Sequence, residues 1–193
     1  MKSTKVIAGL GVVAALGMAV MPFAGAFAEG ETKTGNVTVK YTINDNLSLA
    51  LDSATQEAVI TAGTPHTTLT STATVKGNSA YTLSVKSEGA DANLDNGNGA
   101  TIAPMTTAAE TPDAGKWGIK VATTTGANNV FGANFNGVDT TGKVIMDRQT
   151  LTGVLPETGD VATVTYGVHA ANNQSAGVYK DVLTYTVAAV VSE

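Results

Sequence analysis

Hydrophobic and polar residues alternate along many short segments of this chain. In Asn36–Ile43, every second side chain from Val37 onward is apolar, and threonine or lysine stands between. This pattern is typical of a strand with one buried and one solvated face. It also predicts strands at Leu47–Leu51, Ala58–Thr61, Leu69–Lys76, Ala80–Lys86, Lys116–Ala122, Val144–Met146, Val161–Ala170 and Val178–Val191.

Residues that favour turns separate these segments. Lys76-Gly77-Asn78 lies between two alternating runs and predicts a hairpin, and Ala171–Gly177 connects the last two strands. No interval shows helical periodicity over 11 residues, so βαβ crossovers and a parallel sheet are not expected. About seven to nine short antiparallel strands predict an all-β, two-sheet sandwich of Ig-like or jelly-roll-like type.

The composition suits strands and turns, because the 193 residues include 30 Thr, 21 Gly and 13 Asn. Hydrophobic residues make up 43%, which is ordinary for a globular protein and argues against global disorder. The net charge is −5, and no basic run follows the N-terminus. Since phosphate backbones require a positive surface, nucleic acid is not an expected partner.

Residues 1–28 have the layout of a secretory signal peptide. Two lysines precede an apolar stretch, which ends in the small residues of Ala26-Phe27-Ala28. A proline and a glycine interrupt the stretch, and it is shorter than the ~20 residues that span a bilayer, so a retained anchor is not expected. We predict a secreted protein, extracellular or at the cell surface, with a single β-sandwich domain at residues 29–193.

The chain contains no cysteine. Disulfides, thiolate chemistry and lipid attachment at an N-terminal cysteine are thereby excluded. The predicted mature chain has 165 residues and a net charge of −7, and a domain of that size buries ~70% of its unfolded surface. Its stability is expected to come from core packing alone.

The most conspicuous motif is Leu155-Pro156-Glu157-Thr158-Gly159, which matches the LPxTG signal that sortases cleave between threonine and glycine. A sorting signal also needs an apolar membrane-spanning run and a basic tail behind it. Here two alternating strands follow, and Val190–Glu193 contains no basic residue. We interpret the motif as a proline/glycine turn that leads into the next strand.

The stretch Gly89–Gly115 is expected to be a long polar loop with a short strand near Ile102, and such loops often carry binding surfaces. Within it, Asp91–Gly99 places oxygen-bearing side chains at alternate positions, like the first half of a calcium loop. Asn96 stands where a calcium loop has its glycine, and Ile102 where it has its bidentate acid. A solvated turn is the favoured interpretation.

No catalytic, cofactor-binding or metal-binding residue is assigned from the sequence. The two histidines, His66 and His169, lie far apart along the chain, and both are expected at the surface. The acidic residues are scattered in turns rather than paired on strand ends. Without a recognisable nucleophile, base or metal-ligand set, the chain is not expected to be an enzyme.

The single tryptophan, Trp117, has two interpretations: a residue that fills the core, or a platform on which a sugar stacks. The position of Trp117 in the alternating pattern of its strand does not decide between these two interpretations. The core interpretation is favoured, because a sugar platform usually shows several exposed rings. The five tyrosines instead lie in or beside predicted strands with core phase.

The C-terminal part of the chain resembles two families of bacterial surface β-sandwich domains. Ala176–Val187 has the form A-G-x-Y-x-D-x-L-x-Y-x-V, and Thr163–Val168 contains a Tyr-Gly strand. These are similar to the closing strands of the spore coat protein U and fimbrial-subunit group. The second family is the WxL cell-wall domain, because Tyr81-Thr82-Leu83 and Tyr185-Thr186-Val187 stand where its W-x-L motifs fall.

Both resemblances imply an exported, non-enzymatic surface protein. We expect a structural or adhesive role as a subunit of a surface fibre or coat, with other surface protein subunits, including copies of itself, as partners. The alternative is a module of WxL type that binds cell-wall glycan non-covalently. In the fibre interpretation, Val37–Ile43 either pairs within its own sandwich or completes the sheet of a neighbour.

Overall fold

A computed structural model describes residues 38–41, 46–124, 126–150 and 155–190. The chain divides into the unit Met1–Tyr41 and the unit Thr42–Glu193. In the first unit, residues 38–41 are described and are not in a strand. The predicted leader, residues 1–28, and the rest of the predicted strand Asn36–Ile43 lie outside the described residues.

The unit Thr42–Glu193 is built from strands, and its described residues contain no helix. The strands are β1 Leu47–Leu51, β2 Pro65–Gly77, β3 Tyr81–Ser87, β4 Leu94–Asp95, β5 Thr101–Pro104, β6 Lys116–Thr123, β7 Asn128–Asn129, β8 Lys143–Arg148, β9 Asp160–His169 and β10 Leu183–Ala189. They form a six-stranded sheet in the order β1-β2-β9-β6-β5-β4 and a four-stranded sheet in the order β10-β3-β8-β7. The prediction of an all-β, two-sheet sandwich is confirmed.

The strand pairs are antiparallel except for β5 and β6, which pair in parallel with Ala103 opposite Lys116. The loop between these two strands carries the chain back to the start of β6 beside β5. This parallel pair was not expected from the sequence. The count of ten described strands includes β4 and β7, which have two residues each.

Side chains alternate between a core face and an outer face. In β3, Tyr81, Leu83 and Val85 are fully buried, whereas the residues between them are half-buried on the outer face. Ala162 and Val164 of β9 face them from the other sheet as part of the same apolar cluster. Burial of each large apolar side chain contributes about 1.5–3 kcal/mol to stability.

The segment Lys76-Gly77-Asn78 is not the predicted hairpin. β2 belongs to the six-stranded sheet and β3 to the four-stranded sheet, so the chain crosses between sheets here. The crossing is held by other partners: Asn78 N–H donates to Asn46 O, and Leu155 N–H donates to Gly77 O, each at 3.1 Å. A turn signal marks where a strand ends, but it does not show which sheet the next strand joins.

The predicted strand Ala58–Thr61 is also wrong, because these residues are in no strand. Val59 is fully exposed, whereas Ile60 packs against the core. Apolar alternation over four residues was too short to distinguish a strand from a loop that anchors one side chain.

The last strand, β10, is shorter than the predicted Val178–Val191. It begins at Leu183, because Lys180 first pairs with Asp95 at β4, on the edge of the other sheet. Ala171–Gly177 therefore belongs to a connection that crosses from β9 to the four-stranded sheet. Val191 lies outside the described residues.

A small apolar cluster covers part of the outer face of the six-stranded sheet. Gly118 of β6 and Gly167 of β9 are register partners on that face. A Cβ on Gly167 would lie 2.6 Å from Phe135 Cε1 and 2.8 Å from Pro112 Cγ, and a Cβ on Gly118 would lie 3.3 Å from Met105 Sδ. Phe135 is fully buried. Gly167 therefore makes room for the ring, and Gly118 makes room for the main chain of Asn136, whose O would lie 2.5 Å from its Cβ. We call Gly118, Gly167, Phe135, Pro112 and Met105 the outer cluster.

The expected polar loop Gly89–Gly115 is more ordered than its composition indicated. The short strand near Ile102 is confirmed as β5, and Ile102 itself lies in the core. Beyond β5, Ala109 forms an antiparallel bridge with Phe135, with mutual N–H···O bonds of 2.9 and 2.8 Å. The second half of the stretch thus helps to cover the sheet and is not a free binding loop.

Candidate functional site

Asp160, the first residue of β9, is buried between the sheets with 1% exposure. The Arg148 guanidinium binds it through two bonds, from Nε to Oδ2 at 2.8 Å and from Nη2 to Oδ1 at 2.6 Å. Tyr81 Oη donates to the same Oδ2 at 2.7 Å. Tyr81 and Arg148 are register partners in the four-stranded sheet, so this Asp160 cluster ties the two sheets together.

The Asp160 cluster is arranged for stability. Burial, followed by the hydrogen bond to Asp160, raises the pKa of Tyr81 above its ordinary range. The hydrogen bond to Asp160 likewise raises the pKa of Arg148. Both carboxylate oxygens accept bonds from within the protein, which leaves the cluster no free base. Sequence reasoning missed it, although one signal was available: Arg148 is the only arginine in the chain.

A second tie between the sheets consists of hydroxyl groups. Tyr166 Oη of β9 lies 2.7 Å from Ser71 Oγ of β2 and 2.9 Å from Tyr185 Oη of β10. Burial, and then the neighbouring Tyr166, raise the pKa of Tyr185 above its ordinary range. The core phase that the sequence predicted for these tyrosines agrees with the structure, and their hydroxyls satisfy one another inside it.

Raised phenol pKa values predict a loss of stability in alkali. Above about pH 10, tyrosines ionise in the unfolded chain while Tyr81 and Tyr185 stay protonated in the folded protein. Stability from these groups is therefore complete below that pH and declines as the pH rises further. We expect urea denaturation to show a falling free energy of unfolding above about pH 10, with a shallower fall in Tyr185→Phe. An equal slope in both proteins would contradict this.

His66 and His169 are far apart along the chain, but they lie on neighbouring strands, β2 and β9. Pro65 pairs with His169 and His66 pairs with Val168, which places the histidines on neighbouring strands but on opposite faces. His169 Nδ1 lies 3.1 Å from Pro112 O, and His66 Nε2 lies 3.2 Å from Thr68 Oγ1. Both are half-buried rather than fully exposed. The outward direction predicted for His169 is correct, and the two rings do not converge.

The segment Leu155–Gly159 forms the predicted turn. Gly159 N–H donates to Pro156 O at 2.7 Å, and Gly159 has a φ of +77°. A Cβ on Gly159 would lie 2.7 Å from Val75 O, so the turn packs against β2. β9 begins at the next residue. The motif therefore acts as the entry to a central strand of the sheet.

In the segment Asp91–Gly99, acidic and amide oxygens accept bonds from nearby main chain. Asp91 Oδ1 accepts from Asn93 N–H at 3.1 Å, and Asp95 Oδ1 accepts from Gly97 N–H at 2.6 Å. Asn96 Oδ1 accepts from two further N–H groups. Among the described residues, no group of three or more His, Cys, Asp or Glu is placed to hold a metal ion. The geometry is that of consecutive solvated turns.

We therefore expect calcium to leave the stability of the protein unchanged. Extracellular calcium modules bind with dissociation constants of ~10⁻⁴–10⁻³ M, so about 5 mM calcium would fill such a site. The melting temperature should be the same in calcium and in EDTA, because Asp91 and Asp95 already have partners. A higher melting temperature in calcium that is lost in Asp95→Asn would show that the loop binds the ion.

The core phase predicted for Tyr41 is wrong, because this residue lies in no strand and is 87% exposed. The tryptophan and the tyrosines of the WxL-like segments, in contrast, are not exposed as a sugar platform. Trp117 is 3% exposed, and its Nε1–H donates to Ala92 O at 2.9 Å, so the core interpretation is confirmed. The segments Tyr81-Thr82-Leu83 and Tyr185-Thr186-Val187 lie on the paired strands β3 and β10, with Leu83 opposite Val187. Both tyrosines contribute to the inter-sheet ties described above. Their rings are therefore not free to stack on a glycan.

One cleft lies between β5 and the connection that follows β9. It has a volume of about 280 Å³, with Ile102 and Ala170 on its buried side and Tyr179 beside it. Tyr179 Oη donates to Ser175 O and accepts from Gln174 Nε2, both at 2.8 Å. Small-molecule sites usually measure ~300–1,000 Å³, so the cleft is small for such a ligand.

The most unusual feature is the pair of longer edge strands, β1 and β10. They adjoin each other on one side of the sandwich, whereas the opposite edges, β4 and β7, have two residues each. Neither β1 (LSLAL) nor β10 (LTYTVAA) contains a charged residue or proline. Natural proteins usually protect long edge strands with charge, proline or bulges. Both edges lack these protections.

The hydrogen bonds show which main-chain groups of β10 point outward. Glu88 N–H donates to Val182 O, and Val190 N–H donates to Ala80 O, so even-numbered residues bond to β3. Antiparallel pairing then directs the N–H and C=O groups of the odd-numbered residues to the open edge. They belong to Leu183, Tyr185, Val187 and Ala189. No described residue pairs with that edge.

The described residues include no helix that is long and apolar enough to cross a membrane. Comparison of the chain with protein-family models, with curated proteins and with solved structures finds no match.

Proposed function

We propose that this chain is a secreted, non-enzymatic structural or adhesive protein of the cell surface, working as a subunit of a fibre or coat. The observation that carries the proposal is the pair of edges β1 and β10, which lie on one side of the sandwich and have no further strand partner among the described residues. An unprotected edge accepts another strand, because its N–H and C=O groups have no other partners than water. Such an edge favours a protein that works by association.

The disposition of the charged side chains supports a non-enzymatic role. Asp160 is bound by Arg148 and Tyr81. Asp147 accepts from Asn128 Nδ2 at 2.7 Å and from Gln149 Nε2 at 2.6 Å. These carboxylates stabilise strands, and in the described residues no acid, base and nucleophile meet in the cleft beside Tyr179. The signal-peptide layout of residues 1–28 supports the surface location.

Binding to cell-wall glycan is the competing function. It would draw on the resemblance to the WxL domain, but the tyrosines at the motif positions face the core, and the cleft is small. A pull-down on purified peptidoglycan separates the two proposals. A surface subunit is expected to stay in the supernatant, whereas a wall-binding module would be captured.

The proposed function is tested first on intact cells of the producing organism. We expect the protein to be retained on the cells in an assembled form, and the purified full chain to form larger species as its concentration rises. Release into the medium as a monomer that stays monomeric at every concentration would overturn the proposal.

A variant that lacks residues 29–43 tests separately whether the N-terminal segment supplies a strand. Unchanged assembly in that variant would exclude strand donation.

A further inference from the structure

We infer that β10 is a homotypic association edge, which pairs antiparallel with β10 of a second copy across a two-fold axis. The inference rests on the proposed function and names the partner and the strand. The two four-stranded sheets would join into one continuous sheet through the outward N–H and C=O groups of β10. Two-fold interfaces bring the same surface of both subunits together, so the edge must be complementary to itself.

The register follows from two properties of β10: its length, and the outward direction of the N–H and C=O groups of its odd-numbered residues. Antiparallel pairing of Leu183–Ala189 with an identical strand overlaps all seven residues only when Thr186 meets Thr186 on the axis. Tyr185 then stands opposite Val187 of the second copy, and Leu183 opposite its Ala189. All of these are odd-numbered residues, whose N–H and C=O groups point to the open edge. The register with the greatest overlap is therefore also one in which the free groups meet.

The side chains of β10 suit this register. Tyr185 opposite Val187 is an aromatic and β-branched pair, and Thr186 opposite itself is a threonine pair, and both kinds stabilise antiparallel sheets. Leu183, Tyr185 and Val187 pack against the core but are half-buried rather than buried. A second copy would cover the parts of these side chains that remain in water.

Electrostatics also permits two copies of an acidic chain to approach at this edge. β10 carries no charge, and the nearest charges on the neighbouring strand β3 and just beyond it are Lys86 and Glu88. Their side chains pair with each other at 3.1 Å. A hydrogen bond from Thr184, together with Lys86, lowers the pKa of Glu88 and so favours its charged form beside Lys86. On the β3 side of the strand, the two charges therefore compensate each other; the other charges near β10 are Asp181, two residues before it, and Asp52, which acts electrostatically on Tyr185.

The other open edge, β1, is the weaker candidate. It has five residues against seven in β10, and it consists of leucine, serine and alanine. Threonine, tyrosine and valine, which make up most of β10, are enriched in strands. Because the two edges lie on the same side of the sandwich, β1 of each copy would be brought near the interface without having to form it.

The test uses charge on the axis residue, Thr186. Its side chain is exposed on the outer face and its main chain is bonded to β3, so Thr186→Lys or Thr186→Glu should leave the monomer folded. In the dimer, each variant places two like charges opposite each other on the axis. We expect sedimentation velocity of the full chain to show a wild-type dimer and an at least ~10-fold weaker dimer for each variant. An equimolar mixture of the two variants should dimerise again, because lysine then faces glutamate.

Ala50→Lys is the matched control, since Ala50 is exposed on the outer face of β1. It should leave dimerisation unchanged, and melting curves should show that all variants remain folded. A wild-type chain that is monomeric, or a dimer that Thr186→Lys does not weaken, overturns the inference. If Ala50→Lys alone breaks an assembly, β10 is the wrong edge but the proposed surface function stands. Failure of cell-surface retention, in contrast, would count against the function and not against the dimer.

Discussion

Replacing Asp160 by alanine is expected to lower the free energy of unfolding by about 3–5 kcal/mol, which is the usual effect of removing one member of a buried ion pair. Asp160 is 1% exposed, and the side chain of Arg148 is 15% exposed. The substitution leaves the guanidinium without its counter-charge and Tyr81 Oη without its acceptor. For a chain of this size, the melting temperature should fall by roughly 6–20 °C.

Glu88→Gln is the control for this substitution. The Lys86–Glu88 pair has a similar distance of 3.1 Å, but its side chains are 42% and 43% exposed. Solvent and salt screen such a pair, so no measurable change in melting temperature is expected. A small effect of Asp160→Ala, similar to that of Glu88→Gln, would mean that the buried cluster does not hold the sheets together.

Phe135→Ala is expected to cost about 3–5 kcal/mol, the range for removing a fully buried phenylalanine. The ring lies on the outer face of the six-stranded sheet, where a side chain is normally solvated, so the size of the effect tests the outer cluster directly. Thermal unfolding measures it. Val59→Ala, at a fully exposed position, is the control and should have no effect.

The contact between Phe135 and Gly167 can be isolated with a double-mutant cycle. Gly167→Ala should cost about 1–3 kcal/mol in the wild-type protein, because the new Cβ would lie 2.6 Å from the ring. In the Phe135→Ala background, the same change should cost less, because the ring is gone and only the close approach to Pro112 Cγ at 2.8 Å remains. Equal costs in both backgrounds would show that the ring does not rest on this glycine.

Strand positions were largely predictable from the sequence, because the alternation of apolar and polar residues follows directly from the alternation of buried and outer side chains along a strand. β3, β6 and β9 coincide with predicted segments to within one or two residues at each end. The connections were not predictable in the same way. Lys76-Gly77-Asn78 carries the local composition of a hairpin, yet whether a chain turns back or crosses to the facing sheet depends on which edge is free in the assembled fold.

The turn at Leu155–Gly159, the Asp160 cluster and the outer cluster differ in the same respect. The turn at Leu155–Gly159 was predicted, because proline and glycine act locally on the main chain. The Asp160 cluster was not, because its members come from three strands and their meeting depends on register. The outer cluster was missed for the same reason: Gly118 and Gly167 are informative only once they are known to be neighbours.

The two ties between the sheets have a consequence for how the domain folds. An exported sandwich often relies on a disulfide to link its sheets, and that link depends on an oxidising compartment and on thiol oxidases. Here the Asp160 cluster and the hydroxyl chain of Ser71, Tyr166 and Tyr185 link the sheets without sulfur. Both form spontaneously as the sheets meet. The domain can therefore complete its fold without any redox catalyst, and it keeps its links under reducing conditions.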